Sequence, residues 1–378
     1  MFMLKNKCMD EFHQKLDEIA ERISYMESRR VKIGSFLREL NESLTIGPDE
    51  EILDSRLINE VPKSSIKGIS VLGVDGGVVK QSLHGLDLML MRAVGVNFIY
   101  SDNRLERVFY YPSSRPMPNP KIIVDSFSDI ELSSCFNFER QIMEIETCIK
   151  CVKKLKPDIV LLDGSVIPHY VSKPDNPVLK DLYSKLIDRY KTLFVTVKRM
   201  NVILAGVVED SRGIKFCDIL NRKVISSMSN DVKRELKLIL GKTKDTNLLY
   251  YVLREGERTC AFNYSKNPAV NPILSEFESM RDSFFSFYIK TVEFDRPLRV
   301  DLLNVRKEIK VIDELSSVLM QTSGHAGYGL PAVLIEADQR AKLSEKDLNM
   351  FYFELINRVG NLSSLFKLRR DVRPFSRV

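Results

Sequence analysis

Two apolar runs in this chain end alike, and no other feature restricts its fold so much. Ile69-Ser70-Val71-Leu72-Gly73-Val74 leads into Asp75-Gly76-Gly77, and Ile159-Val160-Leu161-Leu162 leads into Asp163-Gly164-Ser165. Each run is short, continuous and partly β-branched, the pattern of a strand buried on both faces. An aspartate at the last extended position, followed by glycine, predicts that the chain turns at once. Asp-Gly is ordinary turn chemistry when it occurs once. Two such strands side by side bring their carboxylates close together, and such a pair ionises together only when a cation neutralises it.

The surrounding pattern supplies the neighbours. Further strands are expected at about 88–100 and 104–111, with Ser101-Asp102-Asn103 as the tight turn between them. Pro112, Pro116, Pro118 and Pro120 mark an irregular loop. A helix is predicted at about 137–156, with Ile142, Ile145, Ile149, Val152 and Leu155 on one face, stopped by Pro157 before the 158–163 strand. A second loop, a helix at 178–199 and a strand at 201–208 follow. Three strands, helix, strand, helix, strand is the element order of the ribonuclease H-like fold. The expected class is α/β, a ribonuclease H-like mixed sheet flanked by helices.

Residues 8–45 read as one long helix or a helical hairpin, with Phe12, Leu16, Ile19, Ile23 and Met26 at three- and four-residue steps. Gly34 is a candidate interruption. So narrow a stripe suits packing against a partner helix or the body of the domain. In the second half, Asp231–Leu240 reads as a helix, and Leu248–Arg254, Phe284–Glu293 and Leu298–Leu303 as strands. Val305–Gln321 reads as a helix, and Tyr328–Ala337 as a loop entering one. Ser344 is the expected N-cap of a last helix reaching about Arg358, with Asp347 in its first turn. The tail holds Lys367, Arg369, Arg370, Arg373 and Arg377 against Asp371. The expected division is a helical N-terminal extension over 1–66, the main domain over 67–345, and a C-terminal helix with a basic tail over 346–378.

Composition narrows the function classes. The net charge, 57 − 51 = +6, is compatible with a polyanionic partner without demanding one. Six cysteines scattered over 378 residues have no disulfide-scaffold spacing, so reduced thiols are expected. With no secretory pattern, and with Leu86–Tyr100 too short and too charged to span a bilayer, a cytoplasmic protein without membrane contact is expected. Cys148-x-x-Cys151 lacks a second pair and reads as core rather than zinc. Gly73, Gly76 and Gly77 lack the spacing of a dinucleotide site, and without a Walker A sequence any ATP use belongs to a partner. Tyr288 beside Lys290 and Phe366 beside Arg369 are candidates for stacking on unpaired bases.

Metal-assisted hydrolysis of a phosphodiester uses divalent cations, and hard ones such as Mn²⁺ and Mg²⁺ take oxygen ligands. Asp75 and Asp163 supply two. A third is expected from the 137–156 helix, which offers Glu139, Glu144 and Glu146. Glu144 lies nearest the apolar stripe, where a carboxylate is costly unless it meets a cation.

Val74-Asp75-Gly76-Gly77, Arg140-x-x-x-Glu144 and Leu161-Leu162-Asp163-Gly164-Ser165 resemble successive motifs of the NurA nucleases. Gly206-Val207-Val208-Glu209-Asp210-Ser211-Arg212 resembles that family's Lys-Asp-Ser-Arg segment, and Pro331-x-x-Leu334-x-x-Ala337-Asp338 its Pro-x-x-Leu-x-x-Ala-His motif. The likeness runs in order over roughly 69–345. It implies a metal-dependent DNA nuclease, exonuclease and endonuclease activities included, acting on single strands and duplex ends with Mn²⁺ or Mg²⁺, two ions being expected. It also implies a homodimer working with a HerA-type hexameric ATPase in end resection during recombinational repair. Carried over by motif, Asp75, Glu144 and Asp163 are the metal-binding acids, and Asp338 stands at the position of the family's His. Gly77 replaces a Ser and Glu209 replaces a Lys. His325, in a glycine-rich segment, is an alternative source of an imidazole. The alternative function is a catalytically reduced DNA clamp or scaffold beneath the translocase.

Overall fold

The computed structural model describes residues 2–43, 45–46, 48–63, 68–168, 173–227 and 230–360. The basic tail and Phe366 lie outside the described residues. Helix α1 (Phe2–Ser43) precedes β1 (Ile58–Glu60), after which β2 (Ile69–Ser82), β3 (Asp87–Ser101) and β4 (Arg104–Tyr111) form an antiparallel meander. A short β5 (Asn119–Ile123), α2 (Asp129–Leu155), β6 (Ile159–Asp163), α3 (Pro177–Met200) and β7 (Ile203–Val208) follow. The second half contributes α4 (Lys215–Ile219), α5 (Asn230–Leu240), α6 (Asp245–Val252), β8 (Glu257–Thr259) and β9 (Phe262–Asn263). Strands β10 (Phe284–Lys290) and β11 (Leu298–Leu303) and helices α7 (Ile309–Thr322), α8 (Ala332–Ala341) and α9 (Glu345–Val359) complete it.

The described strands form one sheet in the order β1-β8-β10-β11-β7-β6-β2-β3-β4, with β5 on β3 and β9 on β10. Strands β6 and β7 run parallel to β2, and β11 returns antiparallel beside β7. The stretch β4-β3-β2-β6-β7 is thus the expected ribonuclease H-like core, two parallel strands added to a meander across the crossover helices α2 and α3. Side-chain alternation divides it. Val71, Ile159, Leu161, Ala205 and Val207 share a core with residues of α7 and α8. Leu72, Val74, Val160, Leu162 and Leu204 share the opposite core with α2 and α3. No described helix is long and apolar enough to cross a membrane.

The strand through Asp75 does not end there. It pairs with β3 without a break from Ile69↔Tyr100 to Ser82↔Asp87 and turns only at Leu83–Leu86. Gly76 and Gly77 lie inside the strand, because β3 offers an unbroken ladder and the missing side chains serve helix packing. The Leu248–Arg254 stretch is the helix α6, not a strand. Its Leu248, Leu249 and Val252 join the core that α1 covers with Ile33 and Leu37, so tertiary packing overrides the β-leaning Tyr250-Tyr251-Val252. The proline loop holds β5, and α2 starts earlier than its apolar stripe does, at a capping box of Ser128 and Glu131. Gly34 leaves α1 unbroken and lies where an added Cβ would be 3.0 Å from Tyr251 Cβ. The stripe of α1 divides: Ile33 and Leu37 are buried, whereas Phe12, Leu16, Ile19 and Ile23 are exposed. Ser344 caps α9 as expected, with Asp347 completing the box.

Candidate active site

Register places the two strand aspartates level. Val74 is paired with Leu162 across the parallel β2–β6 ladder, so Asp75 and Asp163 stand side by side one step further on. Asp163 in turn pairs with Val207 of β7. Alternation sends Asp75 and Asp163 to the α8 face of the sheet, and Glu209, in the turn that follows β7, lies close enough for its charge to repel both.

Helix α8 lies directly on β2 because two glycines let it. An added Cβ at Gly73 would be 2.7 Å from the Val333 carbonyl oxygen, and one at Gly77 would be 2.2 Å from that of Ala341. The two contacts flank Asp75 on the strand and bracket Asp338 on the helix. Val333, Leu334, Ala337 and Ala341 are buried against the sheet, and Asp338 is exposed beside them.

Glu144 comes from the other side. On α2 it is 5% exposed, and Gly76 makes room for it: a Cβ there would be 3.2 Å from Glu144 Oε2. Arg140 Nη1 donates to Glu144 Oε2 at 2.9 Å and to the Gly76 carbonyl at 3.3 Å, tying helix to strand. The other two glutamates of the helix are engaged elsewhere, Glu139 by Lys121 and Glu146 by Arg189 at 2.8 Å.

These acids share one field. Burial raises the Asp75 carboxyl, helped by the charges of Asp338 and Glu209 and opposed by the Gly76 N–H and by Arg140. Asp163 opens to solvent at its tip, yet crowding by protein atoms and repulsion from Asp75, Glu209 and Asp338 push it up to about 7. Glu144 is pushed up to about 8 by burial, against the pull of Arg140 and with the repulsion of Asp75 and Asp163. At the mouth, the Tyr328 hydroxyl donates to Glu209 Oε2 at 2.8 Å. Dehydration, that bond and the nearby Asp163 and Asp338 hold its phenol well above the ordinary range.

As the side chains stand, no group of three or more His, Cys, Asp and Glu among the described residues is disposed to hold a metal ion. Two of the acids are engaged by neighbours: Glu144 by Arg140, and Glu209 by Tyr328. The donor chemistry nevertheless fits a hard divalent cation, since every acid in the cluster offers carboxylate oxygen. His325 is exposed and its Nδ1 accepts from the Gly327 N–H at 3.2 Å, which closes its own loop. Cys148 and Cys151 are buried in the α2 core, as their sequence setting implies.

Glu209 and Tyr328 are additions to the sequence reading. Glu209 is visible in the sequence as a departure from a family Lys, and its membership of the cluster shows in its repulsion of Asp75 and Asp163. Tyr328 had no signal beyond its glycine-rich segment.

The raised Glu144 carboxyl makes a stability prediction. In the unfolded chain it titrates near the usual carboxylate value, so between that pH and about 8 the folded form holds a proton that the unfolded form has lost. Its contribution to stability is fully present below the unfolded pKa and declines as pH rises through the folded one. In chelator, the melting temperature should fall from pH 5 to pH 8. Glu144→Gln should flatten that fall and stabilise the protein at pH 8 by about 1–3 kcal/mol. A profile parallel to wild type would mean that Glu144 is ionised and well paired throughout.

The NurA domain family matches residues 69–343. Among solved structures, the NurA nuclease from Sulfolobus solfataricus matches with a TM-score of 0.60 at 16% identity, covering 93% of this chain and 98% of that one. A NurA structure bound to dAMP and manganese matches with a TM-score of 0.53 at 12% identity, covering 94% and 99%. A comparison with curated proteins finds no match.

Proposed function

The chain belongs to the NurA family, and on that premise we propose that it is a divalent-metal-dependent DNA nuclease, acting on single strands and duplex ends. One observation carries the reading. Asp75, Asp163, Glu209 and Asp338 gather on one face of the sheet, and Glu144 meets them across Gly76. Asp75, Glu144, Asp163 and Asp338 would hold the cations, two in number. Manganese and dAMP in the structurally similar NurA support that choice of ion and substrate class. Such ions supply neutralisation of the phosphodiester's charge and activation of a water for in-line attack.

The chain's own residues do the rest. Asp75 and Asp163, fixed by strand register, set the spacing of the site. Arg140 holds Glu144 over Gly76 on the face of β2 and offsets the crowded negative charge. Tyr328 holds Glu209 at the mouth, where its ring is 40% exposed and accessible to a base. We place the protein in the cytoplasm, as a homodimer working with a HerA-type ATPase in end resection. Family membership supports that assembly. So do the exposed Phe12, Leu16, Ile19 and Ile23 of α1, and Cys135, Cys148, Cys151, Cys217 and Cys260, buried and unpaired among the described residues, suit a reducing compartment.

The test is degradation of end-labelled DNA with Mn²⁺, with Mg²⁺ and with chelator, by wild type and Asp75→Ala. Cleavage that needs the ion and is lost in Asp75→Ala is expected. The rival reading, a catalytically reduced clamp, draws on Glu209, Asp338 and the engagement of Glu144 by Arg140. It predicts DNA binding with intact product under every condition. For Asp338 the expectation is specific: Asp338→Ala should slow hydrolysis and raise the Mn²⁺ concentration needed for half-maximal rate, and Asp338→His should restore part of both. Rate curves superimposable on wild type would place Asp338 outside the site.

A further inference from the structure

Arg92 is a buried cation with few acceptors. It lies on β3 opposite Gly77, is 5% exposed, donates from Nη1 to the Lys342 carbonyl at 3.2 Å, and has no partner for Nε. A guanidinium carries five donors. The charges it feels belong to Asp347 and Arg115. Both residues line a recess of about 550 Å³ between the end of α8 and the start of α9, as do Gln339, Arg340 and Lys342. Asp347 is already engaged there, accepting from the Ser344 N–H at 2.9 Å and the Ser344 hydroxyl at 2.6 Å. Arg340 is paired with Glu336, which also lines the recess, at 2.8 Å. Arg115 and Lys342 are exposed. The recess therefore gathers Arg115, Arg340 and Lys342 against Glu336 and Asp347, and its wall residue Lys342 accepts through its carbonyl from the Arg92 guanidinium, whose Nε has no partner.

We propose that this recess is a phosphate subsite, holding the backbone phosphate of the nucleic-acid strand that neighbours the one at the carboxylate cluster. The proposal rests on the nuclease reading and extends it. Position supports it. Arg92 stands opposite the strand residue two beyond Asp75, about 7 Å along β2, and Gln339 directly follows Asp338 on α8. That offset is of the order of one nucleotide of an extended strand. Phosphate chemistry supports it too, because a tetrahedral dianionic or monoanionic oxygen set accepts from guanidinium and ammonium together, with charge-assisted bonds. A contact of this kind positions the strand and reads no sequence.

The test uses single-stranded oligonucleotides carrying one uncharged methylphosphonate, stepped along the strand, with binding to the full chain measured by fluorescence anisotropy in chelator. Wild type should lose about tenfold in affinity at one position near the cleaved bond. Arg115→Ala, Lys342→Ala and Arg92→Gln should bind the unmodified strand more weakly and show little further loss at that position. An unchanged methylphosphonate penalty in Arg115→Ala and Lys342→Ala would overturn the subsite even if Arg92→Gln fails to fold. Inorganic phosphate is the second probe. Strong thermal stabilisation of wild type by it, with no position-specific methylphosphonate penalty, would make the recess a free-phosphate site and overturn the assignment to a strand. Failure of wild type to bind any oligonucleotide would sink the nuclease reading itself.

Discussion

Asp163→Asn is expected to reduce metal-dependent DNA hydrolysis about 10³-fold or more while leaving a folded protein, because on the proposed site it would remove a ligand charge from the centre on which cation binding depends. The side chain closes the β6 strand at solvent, so an amide of the same shape disturbs little packing. Repulsion among Asp75, Asp163, Glu209 and Asp338 is relieved at the same time. The metal-free variant should therefore melt no lower than wild type at pH 8. Initial rates against Mn²⁺ concentration, with circular dichroism on the same samples, check both halves. Retention of full activity would remove Asp163 from the site, and a lowered melting point would make its role structural.

Gly77→Ala should be costly far from any ligand. The new Cβ would stand 2.2 Å from the Ala341 carbonyl oxygen, and that atom belongs to helix backbone, which cannot rotate away. Helix α8 or strand β2 must shift, at an expected cost of about 2–4 kcal/mol. Since α8 carries Asp338, activity should fall with stability. Gly73→Ala, meeting the Val333 carbonyl at 2.7 Å, should behave alike to a lesser degree. Gly85→Ala is the control: no atom lies within 4 Å, and a melting temperature near wild type is expected. Equal melting temperatures for Gly77→Ala and Gly85→Ala would show that α8 does not depend on this close approach.

What the sequence disclosed and what it hid have separate physical causes. The apolar runs at 69–74 and 159–162 are local signals, and they marked Asp75, Asp163 and the core strand order. Glu144 was legible because a carboxylate beside an apolar stripe is anomalous on its own helix. Asp338 had no local signal and entered only through a family motif. Its closeness to Asp75 depends on β2 and α8, far apart in sequence, lying in contact through bare glycines. The same glycines misled: read locally they predicted a turn after Asp75, whereas the strand continues to Ser82 because β3 runs beside it. The strand expected at 248–254 failed for a related reason, since its apolar residues answer to α1 rather than to a sheet.

The docking of α8 on β2 has a consequence for the order in which the candidate site is assembled. Asp75, Glu144 and Asp163 all emerge early in synthesis, but the helix bearing Asp338, and the segment bearing Tyr328, follow the entire second half of the sheet. Contacts of such long sequence separation form late. A nascent or truncated chain that stops short of α8 carries Asp75, Glu144 and Asp163 but lacks Asp338 and the helix that packs on the Asp75 face of β2. If the proposed site needs Asp338, its hydrolytic competence would arrive only with completion of the fold.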